Sequence, residues 1–229
     1  MPFSTSLTRL LRIEHPVILA PMGFVSGGAL AGAVSAAGGL GIIGGGYADP
    51  DWLEREFAAA GNPPVGCGFI TWALMERPAS LDLALSYRPA AIMLSFGNAA
   101  PFLPKIKKAG ALAICQVQHL AQARTVLMEG ADIIVAQGTE AGGHGGGRST
   151  LPLVPAVVDM VAKSGRSVPV VAAGRDHRWA RVGRGTDARC WRRVDGNPVL
   201  CRFRNPRLNG AKGSGGGGER RRYLAHDRL

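Results

Sequence analysis

The 26 residues LAICQVQHLAQARTVLMEGADIIVAQ, at positions 112–137, hold one complete repeat of the chain's pattern. A short apolar run, Leu112–Val117, reads as a strand. It is followed by an amphipathic stretch, His119–Glu129, a glycine stop at Gly130 and a second apolar run, Asp132–Gln137. Runs this short and this continuously apolar suit strands buried on both faces, which is the signature of a parallel sheet covered by helices.

The same alternation extends in both directions. Strand-like runs are Val17–Met22, Leu40–Gly44, Val65–Thr71, Ala91–Phe96 and Val168–Ala173, besides the two above. Between them lie helical candidates at Ala29–Ala37, Asp51–Ala60, Ser80–Tyr87, Pro101–Ala109 and Leu151–Ser164. Gly38, Gly61, Gly110, Gly130 and Gly165 supply helix stops. Seven strand–helix repeats point to an incomplete TIM-type (β/α)8 barrel whose eighth unit is missing. A doubly wound sheet is the competitor, but no G-x-G-x-x-G pattern follows the first run. In a barrel the chemistry sits where strands end, on the C-terminal face.

Composition bounds the rest. The chain has 229 residues, 46% hydrophobic and 19% charged, with 33 glycines, about twice the usual ~7% share. No apolar stretch reaches the ~18–20 unbroken residues of a membrane span, and the N-terminus lacks the apolar core of a secretory signal. The expectation is a soluble, cytoplasmic protein. Cys67, Cys115, Cys190 and Cys201 show no metal-ligand spacing, so no metal is expected.

The net charge of +11 is unevenly spread. Residues 1–174 hold 12 basic and 11 acidic side chains, whereas residues 175–229 hold 15 and 5. From Arg175 onward no helical or alternating period is sustained. Two domains of unlike character follow: 1–174, the barrel portion, and 175–229, a basic, Gly/Arg-rich tail expected to be irregular and disordered. An arginine-rich nucleic-acid tail is one reading; a shifted reading frame of a GC-rich gene is the other. Read one base later, permitted codons for Arg175–Gly183 give Gly-Ile-Thr-Asp-Gly-Arg-Gly-Leu-Gly, which continues the preceding strand into a glycine turn. Asp195–Val199 likewise permits Met-Gly-Thr-Arg-Phe. The shifted frame is favoured and nucleic acid is not expected as a partner.

The stretch with chemistry in it is Gln137-Gly138-Thr139-Glu140-Ala141-Gly142-Gly143-His144-Gly145-Gly146-Gly147, after the sixth run. Glycine lets backbone approach a ligand closely, and histidine can exchange protons near neutral pH. His144 is therefore the candidate acid/base. His15, His119, His177 and His226 lack such a setting.

Four segments, in order, resemble the nitronate monooxygenase family, formerly the 2-nitropropane dioxygenases. They are His15–Met22, Ala37–Gly41, Val135–His144 and Pro169–Gly174. The Gln137–His144 motif is specific, whereas the Ala20–Met22 turn is shared with other flavin barrels. The resemblance implies an enzyme that binds FMN non-covalently and oxidises alkyl nitronates or nitroalkanes with dioxygen to a carbonyl compound and nitrite. It implies that Ala20, Pro21, Met22 and Gly23 lie by the flavin ring, and that Thr71, Gln116 and Gln137 contact the ring or ribityl chain. Some relatives carry Lys and Asp where this chain has Gln116 and Gln137. Gly142 and Gly143 would let the loop close over the cofactor, Gly174 would begin the phosphate-binding turn, and His144 would be the catalytic acid/base.

Phe24, Trp72 and Phe96 would favour a small aliphatic substrate, with core packing the competing role of each. The family pattern also expects Gly-Gly-Ile after strand seven and Met-Gly-Thr-Arg-Phe at strand eight, both present only in the shifted frame. The chain as written is thus expected to hold FMN poorly. Rival readings are an FMN-dependent enoyl-acyl-carrier-protein reductase, which shares the Ala-Gly-Gly-Leu-Gly and Gly-Gly-His features, and a non-enzymatic nucleic-acid binder. An inosine-monophosphate dehydrogenase would need a loop cysteine, which neither Cys67 nor Cys115 provides.

Overall fold

A computed structural model describes residues 4–174 and 199–201. Its strands are β1 (Gly41–Gly46), β2 (Val65–Ile70), β3 (Ala91–Ser95), β4 (Leu112–Val117), β5 (Ile133–Gln137), β6 (Val170–Ala173) and β7 (Val199–Cys201). They pair in chain order, every pair parallel, in one sheet. The helices are α1 (Ser6–Leu11), α2 (Gly28–Ala36), α3 (Pro50–Ala60), α4 (Thr71–Glu76), α5 (Ala79–Ser86), α6 (Leu103–Lys108), α7 (Leu120–Glu129) and α8 (Thr150–Lys163).

The sheet sorts its side chains by the period of two that a strand imposes. Ile42, Met93, Ile114, Ile133, Val135 and Val171 face an interior cluster, while Ile43, Ile92, Cys115, Ile134 and Val170 face the helices. Leu7 and Leu11 of α1 join the interior cluster beside Leu40 and Ala91, residues at or next to strand starts. So α1 plugs the N-terminal end of the barrel, leaving the C-terminal end as the open face. Thr5 begins α1 with a reciprocal cap: its Oγ1 accepts from the Thr8 N–H at 3.0 Å, and its own N–H donates to Thr8 Oγ1 at 2.8 Å.

Most expected elements form within two residues of their expected ends. The five glycine stops all adopt positive φ, between 71° and 95°. Three details differ. The first run, Val17–Met22, contributes only one parallel bridge, Ile18 to Leu40, because the chain turns at Pro21–Met22. Helices α1 and α4 were not expected; each is six residues long, too short to show a period. And β7 lies in the segment where no strand was expected, pairing in parallel with β6. Among the described residues no pairing joins β7 to the Ile18 segment, so within them the ring is not closed. The shifted frame and disorder expected of 175–229 concern residues that, β7 apart, lie outside those described.

Helix α2 approaches α3 backbone to backbone. A methyl group at Gly28 would collide with the Glu56 carbonyl, and one at Gly32 with the Ala60 carbonyl. Replacing Gly32→Val should force the helices apart and destabilise the fold by about 1–3 kcal/mol, the usual cost of overpacking. The check is a lowered urea midpoint at unchanged m-value.

Candidate active site

The interior parity that buries Met93, Ile114 and Val135 brings Ser95, Gln116 and Gln137 to the same side, two residues nearer the open end. A polar layer therefore sits directly on the apolar interior. Polar atoms at this depth need partners, and these find one another. Ser95 Oγ donates to Gln116 Oε1 at 3.2 Å. Gln116 Nε2 donates to Gln137 Oε1 at 2.6 Å. Gln118, one position past β4, donates through Nε2 to the same Gln137 oxygen at 2.9 Å.

The layer also grips the glycine loop. Gln137 Nε2 donates to the Gly142 carbonyl at 3.3 Å, and Gln118 Nε2 to the His144 carbonyl at 2.7 Å. Those carbonyls can only accept, which fixes the orientation of both amides and, through them, of Gln116. The His144 imidazole is exposed and lies tilted against Phe96, ring centroids 5.0 Å apart. It forms no hydrogen bond among the described residues. The structure thus unites Gln116, Gln137, Gly142 and the His144 backbone.

The Ala20–Gly23 turn lies elsewhere on the same face. Pro21 packs on Gly68 and the Met22 carbonyl on Gly44, where a Cβ at either glycine would intrude. The Met22 N–H is already engaged by Ser26 Oγ at 2.6 Å. Gly23 is open to a ligand: its N–H has no bond among the described residues and its Cβ position faces open space. Thr71 begins α4, fully buried, with Oγ1 lacking a hydrogen-bond partner among the described residues. Gly142 and Gly143 have nothing within 4 Å of a Cβ position, while a side chain at Gly138 or Gly174 would run into Thr150. Neutral amides and side-chain-free backbone on one face fit the ring end of a flavin, with the unpaired Thr71 hydroxyl buried at the end of β2. The loops after β6 and β7 that would hold its phosphate lie outside the described residues.

Aromatic side chains follow the rim. From Phe96 the chain passes to Gly97, against the Trp72 backbone. Trp72 meets Tyr47 edge-on at 5.7 Å, and Phe24 meets Trp52 at 5.2 Å. Phe24 and Phe96 both have φ near +60°, strained for a bulky residue and of the kind found at functional sites.

Glu140 lies within the expected motif but had no expected role. Its carboxylate accepts from Ser149 Oγ, from the Thr150 N–H at 2.8 Å and from Thr150 Oγ1 at 2.6 Å. It thus staples the glycine loop to the start of α8. These bonds lower its pKa to about 2. Gln118, Ser95 and Glu140 escaped the sequence reading because only tertiary contacts give them work. The one signal was position, since Ser95 ends β3 and Gln118 and Glu140 follow β4 and β5 at the strand C-termini.

Cys67 and Cys115 are free and buried, and burial raises both thiols, Cys115 to about 12, so neither is a ready nucleophile. Among the described residues no cluster of His, Cys, Asp and Glu could hold a metal, and no helix is long and apolar enough to cross a membrane. A hollow of about 560 Å3 between α7 and α8, lined by Leu120, Met128 and Met160 among others, shares no residue with the mouth.

Fold and site together define an incomplete (β/α)8-type barrel that carries its polar side chains at the strand C-termini. Sequence comparison narrows the class: a profile described as nitronate monooxygenase matches residues 4–62 and 75–178. The chain belongs to the nitronate monooxygenase family. It is 36% identical over 217 residues to the nitronate monooxygenase of Pseudomonas aeruginosa, covering 73% of this chain and 60% of that one. It is also 36% identical over 179 residues to the (3aS,4S,5R,7aS)-5-hydroxy-7a-methyl-1-oxo-octahydro-1H-indene-4-carboxyl-CoA dehydrogenase of Mycobacterium tuberculosis, covering 76% and 49%. The chain therefore spans about half to three fifths of these relatives. Among solved structures, FabK from Thermotoga maritima superposes with a TM-score of 0.73 at 31% identity, over 87% of this chain and 61% of that one. A nitroalkane oxidase from Streptomyces ansochromogenes gives 0.65 at 26%, over 86% and 67%.

The Glu140 staple predicts a pH window. A carboxylate held below its ordinary 4.5 stabilises the folded loop above that value and loses this contribution as pH falls through about 2. The protection factor of the Thr150 amide should be constant from pH 7 to about 5 and fall between about 4.5 and 2. In Glu140→Gln it should be lower at neutral pH and flat across that window.

Proposed function

We propose that the chain carries the FMN-dependent oxidation of alkyl nitronates by dioxygen to a carbonyl compound and nitrite. One observation bears most of this reading: a histidine on a glycine loop, pinned by amides to the polar layer of a barrel of this family. When bound, FMN would supply the electron acceptor and the reaction with dioxygen.

The chain's own residues would bind and orient. Gly23 can donate its N–H to the polar edge of the ring, and Ala20, Pro21 and Met22 form the floor of that turn. Thr71, Gln116 and Gln137 offer neutral donors and acceptors, which suit ring carbonyls and ribityl hydroxyls. Gly142 and Gly143 leave room for the loop to lie over the cofactor, and Gly174 opens the phosphate turn. His144 would take the α-proton of a neutral nitroalkane at an imidazole nitrogen, or balance the charge of a nitronate already formed. Phe96, Trp72, Tyr47 and Phe24 give the rim an apolar side for the alkyl group. Residues 1–174 form the FMN-binding portion in this reading. With its phosphate loops expected in 175–229, where the sequence departs from the family pattern, the chain as written would hold FMN weakly. The reading sets this activity in the cytoplasm, consistent with two free cysteines.

The test is oxygen uptake and nitrite release by the purified chain with FMN added in excess. Turnover should depend on both the nitro compound and the added FMN. His144→Ala should lower kcat/KM on a neutral nitroalkane by about 10²–10⁴-fold, the usual range for a lost general base, and lower it less on a preformed nitronate. No uptake with any nitro compound, or an unchanged rate in His144→Ala, contradicts the reading.

A second reading, hydride exchange between a nicotinamide donor and an acyl thioester, draws support from the mycobacterial relative, named as a CoA-ester dehydrogenase. Rapid FMN reduction by NADH or NADPH in the presence of an enoyl thioester would favour it.

A further inference from the structure

We propose that Gln118 is a positioning residue for His144, an inference that rests on the acid/base role argued above. From Gly142 to Gly147 every residue but His144 is glycine. Cβ positions at Gly142, Gly143, Gly145 and Gly147 have nothing within 4 Å, so side-chain packing does not hold this loop. Glycine backbone left to itself samples a wide range of conformations, and proton transfer demands placement to a fraction of an ångström.

The restraint comes from two amides. Gln137 holds the Gly142 carbonyl at 3.3 Å, and Gln118 holds the carbonyl of His144 itself at 2.7 Å. Gln118 also forms the wall that Gly146 rests against, with its Cβ 3.0 Å from a Gly146 Cβ position. Gln118 is itself fixed at both ends. Its backbone N–H donates to Gln122 Oε1 at 2.8 Å, and Nε2 donates to Gln137 Oε1 at 2.9 Å. Its two amide protons thus go one to the polar layer and one to the residue that carries the imidazole. It bridges β4 to the glycine loop through the His144 carbonyl.

The experiment uses the whole chain with FMN added and compares Gln118→Ala, Gln118→Glu and each combined with His144→Ala. Glutamate keeps the volume and the wall under Gly146 but presents oxygens where both partners are acceptors. Positioning predicts that Ala and Glu are equally impaired. For each, kcat on a neutral nitroalkane should fall about tenfold, with KM within about twofold, and no further loss in the His144→Ala background. Amide exchange across 142–147 should quicken about fivefold or more in both variants, while β4 and α7 stay protected. That readout needs no turnover, so it judges Gln118 even if the nitronate reading fails. A Glu variant with unmutated kcat and exchange would reduce the residue to packing. Losses that add in the double variants would mean it acts independently of His144. Either result overturns the proposal.

Discussion

The polar layer and the glycine loop at the mouth of this barrel hang on one oxygen, Gln137 Oε1, which accepts from both Gln116 and Gln118. Gln137 is nearly buried, on top of an interior that has only alkyl and thioether side chains beneath it. An amide there without partners would cost about 1–3 kcal/mol, so its bonds fix the arrangement of whatever can reach it. Two carbonyls of the glycine loop orient the amides, and the amides hold the loop. Residues with no side chains acquire a defined path because others, on rigid strands, reach out to their backbone.

The exposed part of the face follows from that arrangement. Glu140 ties the loop to α8 at one end, and Gln118 ties it to β4 at the middle. The imidazole is left outside the hydrogen-bond network, resting on Phe96, where a proton acceptor is accessible. Around the rim, Phe24 and Phe96 keep a backbone conformation that costs of order 1–3 kcal/mol each. Such strain survives where the surrounding loops over-determine it, and here it accompanies two aromatic rings on the rim.

The fold was legible because its strands are short and apolar, and β1, β3, β4 and β5 each lead into a helix stopped at a glycine. Six of the seven expected strands form for that reason. Val17–Met22 did not, because its apolar run includes Pro21, which turns into the space above Gly44 and Gly68. That space exists only once β1 and β2 are side by side. Helix α1 was invisible for a similar reason: Leu7 and Leu11 make sense only as a plug for an interior that the sequence does not display. At the site, the glycine loop and His144 stood out by composition, and Gln116 and Gln137 by resemblance. Gln118, Ser95 and Glu140 did not, since each matters through partners 9 to 26 residues away.

The chemistry proposed for these parts turns on where a flavin would lie. The direct measurement is a crystal structure of the chain soaked with FMN. The account predicts ring density above Ser95, Gln116 and Gln137, beside Thr71 and Gly23, with the His144 imidazole on the exposed side of the ring. Flavin density confined to the hollow between α7 and α8, or none at the strand ends, would contradict it.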